Sequence, residues 1–215
     1  GPEVPDLHKR GRGAVSNRAG RFEATHSTAF DPDFEDDWEK DEPDPLRTEV
    51  TIDTSCSIIS RVPSPDMPFD RSINPYRGCE HGCIYCFARP THAFLGLSPG
   101  LDFETKLTMK PDAPALLRRT LMGKRYKPKP IAIGTNTDPY QPIEARYRIT
   151  RAVLEVCLEA RHPLTITTKS DRVLDDLDLL TDLARLKLVA VSISVTSLDP
   201  KLSGKLEPRA ASPAK

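Results

Sequence analysis

Residues 74–87 read NPYRGCEHGCIYCF and bring three cysteines, Cys79, Cys83 and Cys86, into eight consecutive positions. Three thiolates this close in sequence can each bind one iron of a cubane iron–sulfur cluster, whereas ligation of that cluster by protein alone takes four. One iron would therefore be left open for another ligand. The spacing indicates a metal site rather than a disulfide framework.

A structural zinc site is the alternative for the same loop, with His81 or His92 as the fourth ligand, because three cysteines and one histidine are an ordinary zinc set. Zinc cysteines normally come as two separated pairs rather than as one Cys-x3-Cys-x2-Cys run. The run favours the cluster, and His81 is then predicted to lie behind the ligands or to face solvent. Gly78 and Gly82 supply the backbone freedom that a tight loop needs to turn three sulfurs inward.

The composition limits the classes of protein that fit. The 31 basic residues balance the 31 acidic ones, so contact with nucleic acid or an anionic membrane would need a local patch. No apolar run reaches the roughly 18 residues that a membrane span requires, and no signal pattern opens the chain. The five cysteines, an odd number with three clustered, suit a reducing compartment. We therefore expect a cytoplasmic protein without membrane contact.

The chain divides into three segments by composition. Residues 1–47 are strongly charged and poor in aliphatic residues, which predicts a largely irregular N-terminal extension without a core of its own. A basic arm that contacts a phosphate-bearing substrate is the functional alternative for this extension. Residues 48–68 are predicted to form one or two short strands and a proline-rich connector. Residues 69–215 are predicted to form the main domain.

Strand and helix patterns alternate after the cysteine loop. Short apolar or β-branched runs predict strands at residues 103–109, 131–134, 164–168 and 188–195. Apolar residues at helical spacing predict helices at residues 113–122, 144–161 and 173–186. Such alternation favours right-handed βαβ units, so we expect an α/β fold in which the last three strands are neighbours in a parallel sheet.

Two cysteines lie outside the cluster loop. Cys157 falls on the apolar face of the helix predicted at residues 144–161, which predicts a core position. Cys56 is predicted to be a small buried hydrophobic residue.

The cysteine run, with an aromatic residue directly before its last cysteine, resembles the signature of the radical S-adenosylmethionine (SAM) superfamily. The wider pattern, NPYxGC at residues 74–79 followed by GTNTDPYQPIE at residues 134–144, resembles the subgroup related to spore photoproduct lyase. The resemblance extends from about Phe69 to Lys215. It implies a partial (βα) parallel barrel, truncated here after about four strands because the superfamily usually has six βα units.

The resemblance also implies a SAM site next to the cluster. Tyr85 and Phe87 match aromatic residues that lie against SAM, and Thr137 and Asp138 match residues that contact its methionyl part. The structural alternatives are an apolar packing role for Phe87 and a turn-capping role for Thr137 and Asp138.

Two further SAM contacts are implied at strand ends. Lys169 matches a lysine that reaches the SAM carboxylate in spore photoproduct lyase, and a solvent-exposed lysine is the alternative. Ser192, Ser194 and Thr196 alternate along the last predicted strand, so they point the same way, and Ser194 is the contact that we favour.

The chemistry that the resemblance implies is reductive cleavage of SAM by a [4Fe–4S] cluster to give a 5′-deoxyadenosyl radical, which abstracts hydrogen from an unidentified substrate. The expected partner is a one-electron donor such as a flavodoxin or ferredoxin. A nucleic-acid lesion lyase is a weaker alternative, because Thr135 occupies the position of the hydrogen-donating cysteine of the photoproduct lyase. A non-catalytic zinc-binding or interaction module is the alternative from another class.

Overall fold

A computed structural model describes residues 11–14, 16–17 and 47–215. Its strands are β1 (Glu49–Ile52), β2 (Ser60–Arg61), β3 (Arg71–Ile73), β4 (Tyr76–Arg77), β5 (Lys106–Met109), β6 (Ile131–Ile133), β7 (Leu164–Thr168) and β8 (Val189–Ile193). Its α-helices are α1 (Asp102–Thr105), α2 (Ala113–Leu121), α3 (Glu144–Tyr147), α4 (Ile149–Glu159), α5 (Leu177–Arg185) and α6 (Pro200–Leu206). Two 3-10 helices are Arg89–Leu95 and Asp171–Asp176.

Five strands form the larger sheet in the order β2-β3-β6-β7-β8. Strands β3, β6, β7 and β8 are parallel, and β2 pairs antiparallel with β3 at one edge. The prediction of an α/β fold whose last three strands are parallel neighbours is confirmed. Within the described part of the chain this sheet is open and does not close into a barrel.

The core lies between this sheet and its helices. Strand β6 is buried along its whole length, as parallel strands covered on both faces are. Helix α4 contacts both α2 and α5, so the three helices lie side by side. Each contributes a fully buried leucine to the core, namely Leu117, Leu154 and Leu183. The apolar residues of these helices and of the strands thus form one core cluster.

The helix predicted at residues 144–161 is divided into α3 and α4 by Arg148, whose φ of 49° is left-handed. The Glu144 carboxylate accepts hydrogen bonds from the backbone N–H groups of Thr150 and Arg151 at 3.1 and 3.2 Å. It thereby caps the first turn of α4, where backbone N–H groups lack helical partners. The uniform helical spacing of apolar residues did not reveal this break.

A second sheet contains three strands in the order β1-β5-β4. The strand predicted at residues 103–109 is wrong in its first half, because Asp102–Thr105 forms the short helix α1. The Thr105 hydroxyl donates to the Leu101 carbonyl at 2.9 Å, a local bond typical of a helical turn. Of the one or two short strands predicted before the connector, two are present, β1 and β2, and they belong to different sheets.

The two cysteines outside the loop differ in environment. Cys157 is fully buried, which confirms its predicted core position. Cys56 is exposed, so the prediction of a buried residue is wrong. It lies between β1 and β2, in a link that passes from one sheet to the other. In this link Ile58, not Cys56, is buried in the core.

No helix in the described ranges is long and apolar enough to cross a membrane. Most of the predicted extension at residues 1–47 lies outside the described residues, apart from residues 11–14, 16–17 and 47.

Candidate functional site

The cysteine loop begins where β4 ends and turns into the protein. Cys79 and Cys83 are 7% and 8% exposed, and Cys86 is partly buried. The Cys79 N–H donates to the Phe103 carbonyl at 2.9 Å, which ties the start of the loop to α1. Gly78 and Gly82 have φ values of 73° and 68°, in the left-handed region that favours glycine, as the sequence predicted.

The three cysteines face a cavity of about 430 Å³ at the carboxyl ends of the parallel strands. All nine predicted site residues line this one cavity: Cys79, Cys83, Cys86, Tyr85, Phe87, Thr137, Asp138, Lys169 and Ser194. They come from the cysteine loop and from the segments that follow β6, β7 and β8. Met67 of the proline-rich connector and Phe69 directly after it also line the cavity, and sequence reasoning had not assigned them to the site.

Lys169 is held by a group that the sequence did not suggest. Its Nζ lies 2.7 Å from Oε1 of Glu207 and 2.9 Å from Oγ of Ser194. Burial lowers the pKa of Lys169, but Glu207 and Tyr85 together outweigh burial, so the pKa is raised overall. Lys169 therefore contacts both Ser194, which lines the cavity with it, and Glu207.

Glu207 is buried, and several side chains of the site bond to its carboxylate. It is 4% exposed and also accepts hydrogen bonds from the hydroxyls of Tyr85 and Thr196. The charge-assisted hydrogen bond to Glu207 holds the Tyr85 side chain in place. The Lys169 Nζ lies 5.6 Å from the centre of the Tyr85 ring. Glu207 follows a short helix without any periodic signal, which explains why sequence reasoning missed it.

Asp138 is engaged on both carboxylate oxygens. Oδ1 accepts from the Thr168 hydroxyl at 2.7 Å and from the Tyr140 N–H at 2.9 Å, while Oδ2 accepts from the Lys169 N–H at 2.7 Å. His81 is 2% exposed, and its Nδ1 lies 3.4 Å from the same Oδ2. Asp138 thus joins the segments after β6 and β7 and closes a turn, in keeping with the structural alternative considered for it.

Thr137 also has a partner within the protein, because its hydroxyl donates to the Tyr76 carbonyl at 2.8 Å. This bond links the segment after β6 to β4, from which the cysteine loop starts. Thr135, at the position of the photoproduct lyase cysteine, lines the cavity as a hydroxyl.

The segment after α6 lies across the cysteine loop. The Ile84 N–H donates to the Leu206 carbonyl at 3.0 Å, and the Arg209 N–H donates to the His81 carbonyl at 3.2 Å. Further along, the Ala211 N–H donates to the Lys169 carbonyl at 3.1 Å. These bonds hold the outer side of the loop over the strand ends.

Burial makes Cys79 and Cys83 harder to deprotonate than free thiols. Burial raises the pKa of Cys79 well above the usual range and the pKa of Cys83 to about 12. Glu207 raises the pKa of Cys83 further, whereas Lys169 opposes this. Because a metal ligand must be a thiolate, cluster binding would release protons from these groups.

A single zinc ion and a cubane make different demands on the ligands of this loop. Among the described residues, no three histidine, cysteine, aspartate or glutamate side chains converge into the coordination sphere of one metal ion. A zinc ion would need its sulfur and nitrogen ligands within about 2.0 to 2.3 Å of one point. A cubane takes one thiolate for each iron that the protein ligates, and all three cysteines line the same cavity.

Residues 73–214 match the sequence profile of the Radical SAM superfamily. A relative from Mycobacterium tuberculosis, the uncharacterized protein Rv2578c, is 39% identical over 152 residues, which is 70% of this chain and 45% of the relative. The uncharacterized protein MJ0683 of Methanocaldococcus jannaschii is 29% identical over 137 residues, 63% of this chain and 48% of that protein. The chain thus spans about half the length of the relatives it matches. No solved structure matches the chain.

Proposed function

The chain belongs to the radical SAM superfamily, and we therefore propose that it is an enzyme that holds a [4Fe–4S] cluster on Cys79, Cys83 and Cys86. When bound, the cluster would supply one electron for cleavage of SAM to methionine and a 5′-deoxyadenosyl radical, which would take a hydrogen atom from the substrate. The observation that carries this proposal is that nine residues predicted from two sequence motifs and two strand ends line one cavity.

In this proposal the chain's own residues bind and orient SAM. The Lys169 ammonium would face the SAM carboxylate, with Ser194 beside it, because both polar groups lie on the cavity wall. The rings of Tyr85 and Phe87, 48% and 77% exposed, offer apolar surface to SAM next to the last cysteine. Thr137 and Asp138 would shape the wall through their bonds to Tyr76, Thr168 and Lys169.

Of the substrate, only its chemical role is proposed: it is a molecule that gives up a hydrogen atom to the 5′-deoxyadenosyl radical. Repair of a nucleic-acid lesion by the route of the photoproduct lyase is disfavoured, because Thr135 places a hydroxyl where that enzyme has a hydrogen-donating cysteine. A flavodoxin or ferredoxin is the kind of electron donor proposed.

The test is anaerobic reconstitution followed by incubation with SAM and dithionite. We expect about four irons and four sulfides per chain, as a cubane requires, with formation of methionine and 5′-deoxyadenosine. Cys83→Ala should lose the cluster and both products, while Cys56→Ala, which removes an exposed thiol outside the cavity, should keep them. A full cluster in Cys83→Ala would refute the ligand assignment, and a colourless zinc-loaded protein would favour the non-catalytic alternative.

A second variant tests the SAM contact separately from the cluster. Charge-assisted hydrogen bonds contribute about 1.5 to 3 kcal/mol, so Lys169→Met should weaken SAM binding by roughly ten- to a hundredfold. Iron content should stay at the wild-type level because Lys169 is not a ligand. Unchanged SAM affinity would show that Lys169 serves only its bond to Glu207.

A further inference from the structure

The described residues 11–14 and 16–17, which we call the strap, lie against the cysteine loop although they are distant from it in sequence. The backbone N–H groups of Gly13 and Ala14 donate to the two carboxylate oxygens of Glu104, at 3.0 and 2.8 Å. Glu104 is fully buried. The strap therefore supplies two of the hydrogen bonds that this buried charge requires.

Other strap residues bind the same short helix, α1. The Asn17 side chain donates to Oδ1 of Asp102 at 3.0 Å and accepts from the Asp102 N–H at 3.1 Å. The Arg12 guanidinium donates to the Glu104 carbonyl at 2.7 Å and to the Thr48 hydroxyl at 3.1 Å. Arg12 therefore contacts the protein itself, which differs from the basic arm that the sequence suggested as a substrate contact.

Two glycines allow the strap to approach this closely. A Cβ atom on Gly13 would lie 1.7 Å from the carbonyl oxygen of Gly82, in the middle of the cysteine loop. A Cβ atom on Gly100 would lie 2.1 Å from the carbonyl oxygen of Ser16 in the strap. Contacts this short cannot form, so any side chain at either position would push the strap away.

The contact continues from the strap to a cluster ligand. Oε1 of Glu104 also accepts from the Arg89 guanidinium at 2.6 Å. The same guanidinium donates through Nε and Nη2 to the Cys83 carbonyl at 3.1 and 2.9 Å. One chain of charge-assisted hydrogen bonds therefore runs from the strap through the Glu104 carboxylate and the Arg89 guanidinium to the Cys83 carbonyl. Loss of any one of these groups leaves a buried neighbour unpaired.

We propose that the strap is a positioning element of the cluster site and holds the Cys83 turn of the cysteine loop through Glu104 and Arg89. None of the described strap residues lines the cavity, so the strap acts from behind the loop. The proposal rests on the cluster proposed for the three cysteines. It assigns part of the N-terminal extension to the site and explains why the strap has a glycine, Gly13, where its backbone passes over Gly82.

The experiment compares Gly13→Ala and Gly100→Ala, which displace the strap from opposite sides, with Gly204→Ala as the matched control. Gly204 lies in α6 with no atom within 4 Å of an added Cβ. The first measurement is the rate of backbone amide hydrogen exchange in the metal-free full chain, read by mass spectrometry from a peptide that covers residues 79–87. The second is the rate of iron release to a chelator from the reconstituted protein, together with the electron paramagnetic resonance spectrum of its reduced cluster.

We expect both displacing variants to show faster exchange in residues 79–87 and faster iron release by about tenfold, the factor that corresponds to about 1.4 kcal/mol. The resonance line shape should change, and the melting temperature of the domain should fall below that of Gly204→Ala, because the buried Glu104 carboxylate loses two of its donors. Exchange and iron release equal to those of Gly204→Ala in both variants would overturn the proposal. If the wild-type chain took up no cluster, the proposed function would fail, while the exchange measurement would still decide whether the strap holds the loop.

Discussion

Asp138→Asn is the substitution that best distinguishes two roles for Asp138. The side chain either holds the site in shape through hydrogen bonds within the protein or contacts SAM directly. The side chain is 9% exposed, and its two oxygens accept hydrogen bonds from Thr168, Tyr140 and Lys169. Asparagine has the same shape but offers only one acceptor oxygen. In one orientation its amide group faces the Lys169 N–H, and in the flipped orientation it faces the Tyr140 N–H. In both orientations the asparagine amide N–H group faces a backbone N–H, so that backbone N–H loses its acceptor.

The magnitude follows from these bonds. One hydrogen bond to a charged acceptor contributes about 1.5 to 3 kcal/mol, and an unpaired buried N–H costs a comparable amount. We expect Asp138→Asn to lower the free energy of unfolding of the metal-free protein by about 3 kcal/mol, since the contributions overlap. Asp175→Asn is the control, because Asp175 forms an ion pair with Arg172 at the surface, with 50% of its side chain exposed. Such pairs contribute about 0 to 1 kcal/mol.

The assay is urea unfolding followed by circular dichroism, with the free energy taken from linear extrapolation. SAM affinity is then measured on the reconstituted protein under conditions in which the variant is folded. If Asp138→Asn unfolds at the same urea concentration as Asp175→Asn but binds SAM much more weakly, the reasoning is refuted. Asp138 would then contact SAM directly, as the resemblance implied.

Three further predictions concern the domain. Tyr76→Phe should lower the unfolding free energy by about 1.5 to 3 kcal/mol in urea titrations, because its buried hydroxyl donates to the Glu144 carboxylate; a smaller change than about 0.5 kcal/mol would contradict this. In the native protein iodoacetamide should modify Cys56 but not Cys157, which is fully buried with its pKa raised to about 12 by burial, and mass spectrometry showing the reverse would contradict the fold. Burial lowers the pKa of His162, so the unfolded chain binds a proton that the folded one lacks, and the melting temperature should fall as the pH drops below about 6.5. His162→Gln should weaken that fall, and an equal pH dependence in both proteins would count against this assignment.

The pH dependence has a visible structural cause. His162 donates through Nδ1 to the Pro163 carbonyl at 2.9 Å and accepts the Tyr126 hydroxyl proton through Nε2 at 2.8 Å. Both ring nitrogens are thus paired in the neutral form, and burial of the ring, assisted by the charge of Arg71, disfavours the protonated form. His92 adds to the same trend, since burial also lowers its pKa.

The sequence alone determined the features whose signals are local. The three-cysteine run identified the loop and its candidate ligands, and short apolar runs located β6, β7 and β8 and their parallel pairing. Parallel strands of one sheet end at the same edge, so the positions of Asp138, Lys169 and Ser194 after those strands placed them together. Periodicity likewise placed Cys157 in the core, because a helix buries the side chains of one face.

Only the tertiary structure decided which groups hold this site in place. Glu207 pairs with Lys169, and Glu104 joins the strap to Arg89, through contacts between residues that are far apart in the chain and belong to no shared pattern. The break at Arg148 depends on the Glu144 side chain turning back to cap α4, which apolar spacing does not encode. A buried charge is stabilised by whichever donors folding brings to it, so its partners follow from the packing of the whole domain and not from local sequence.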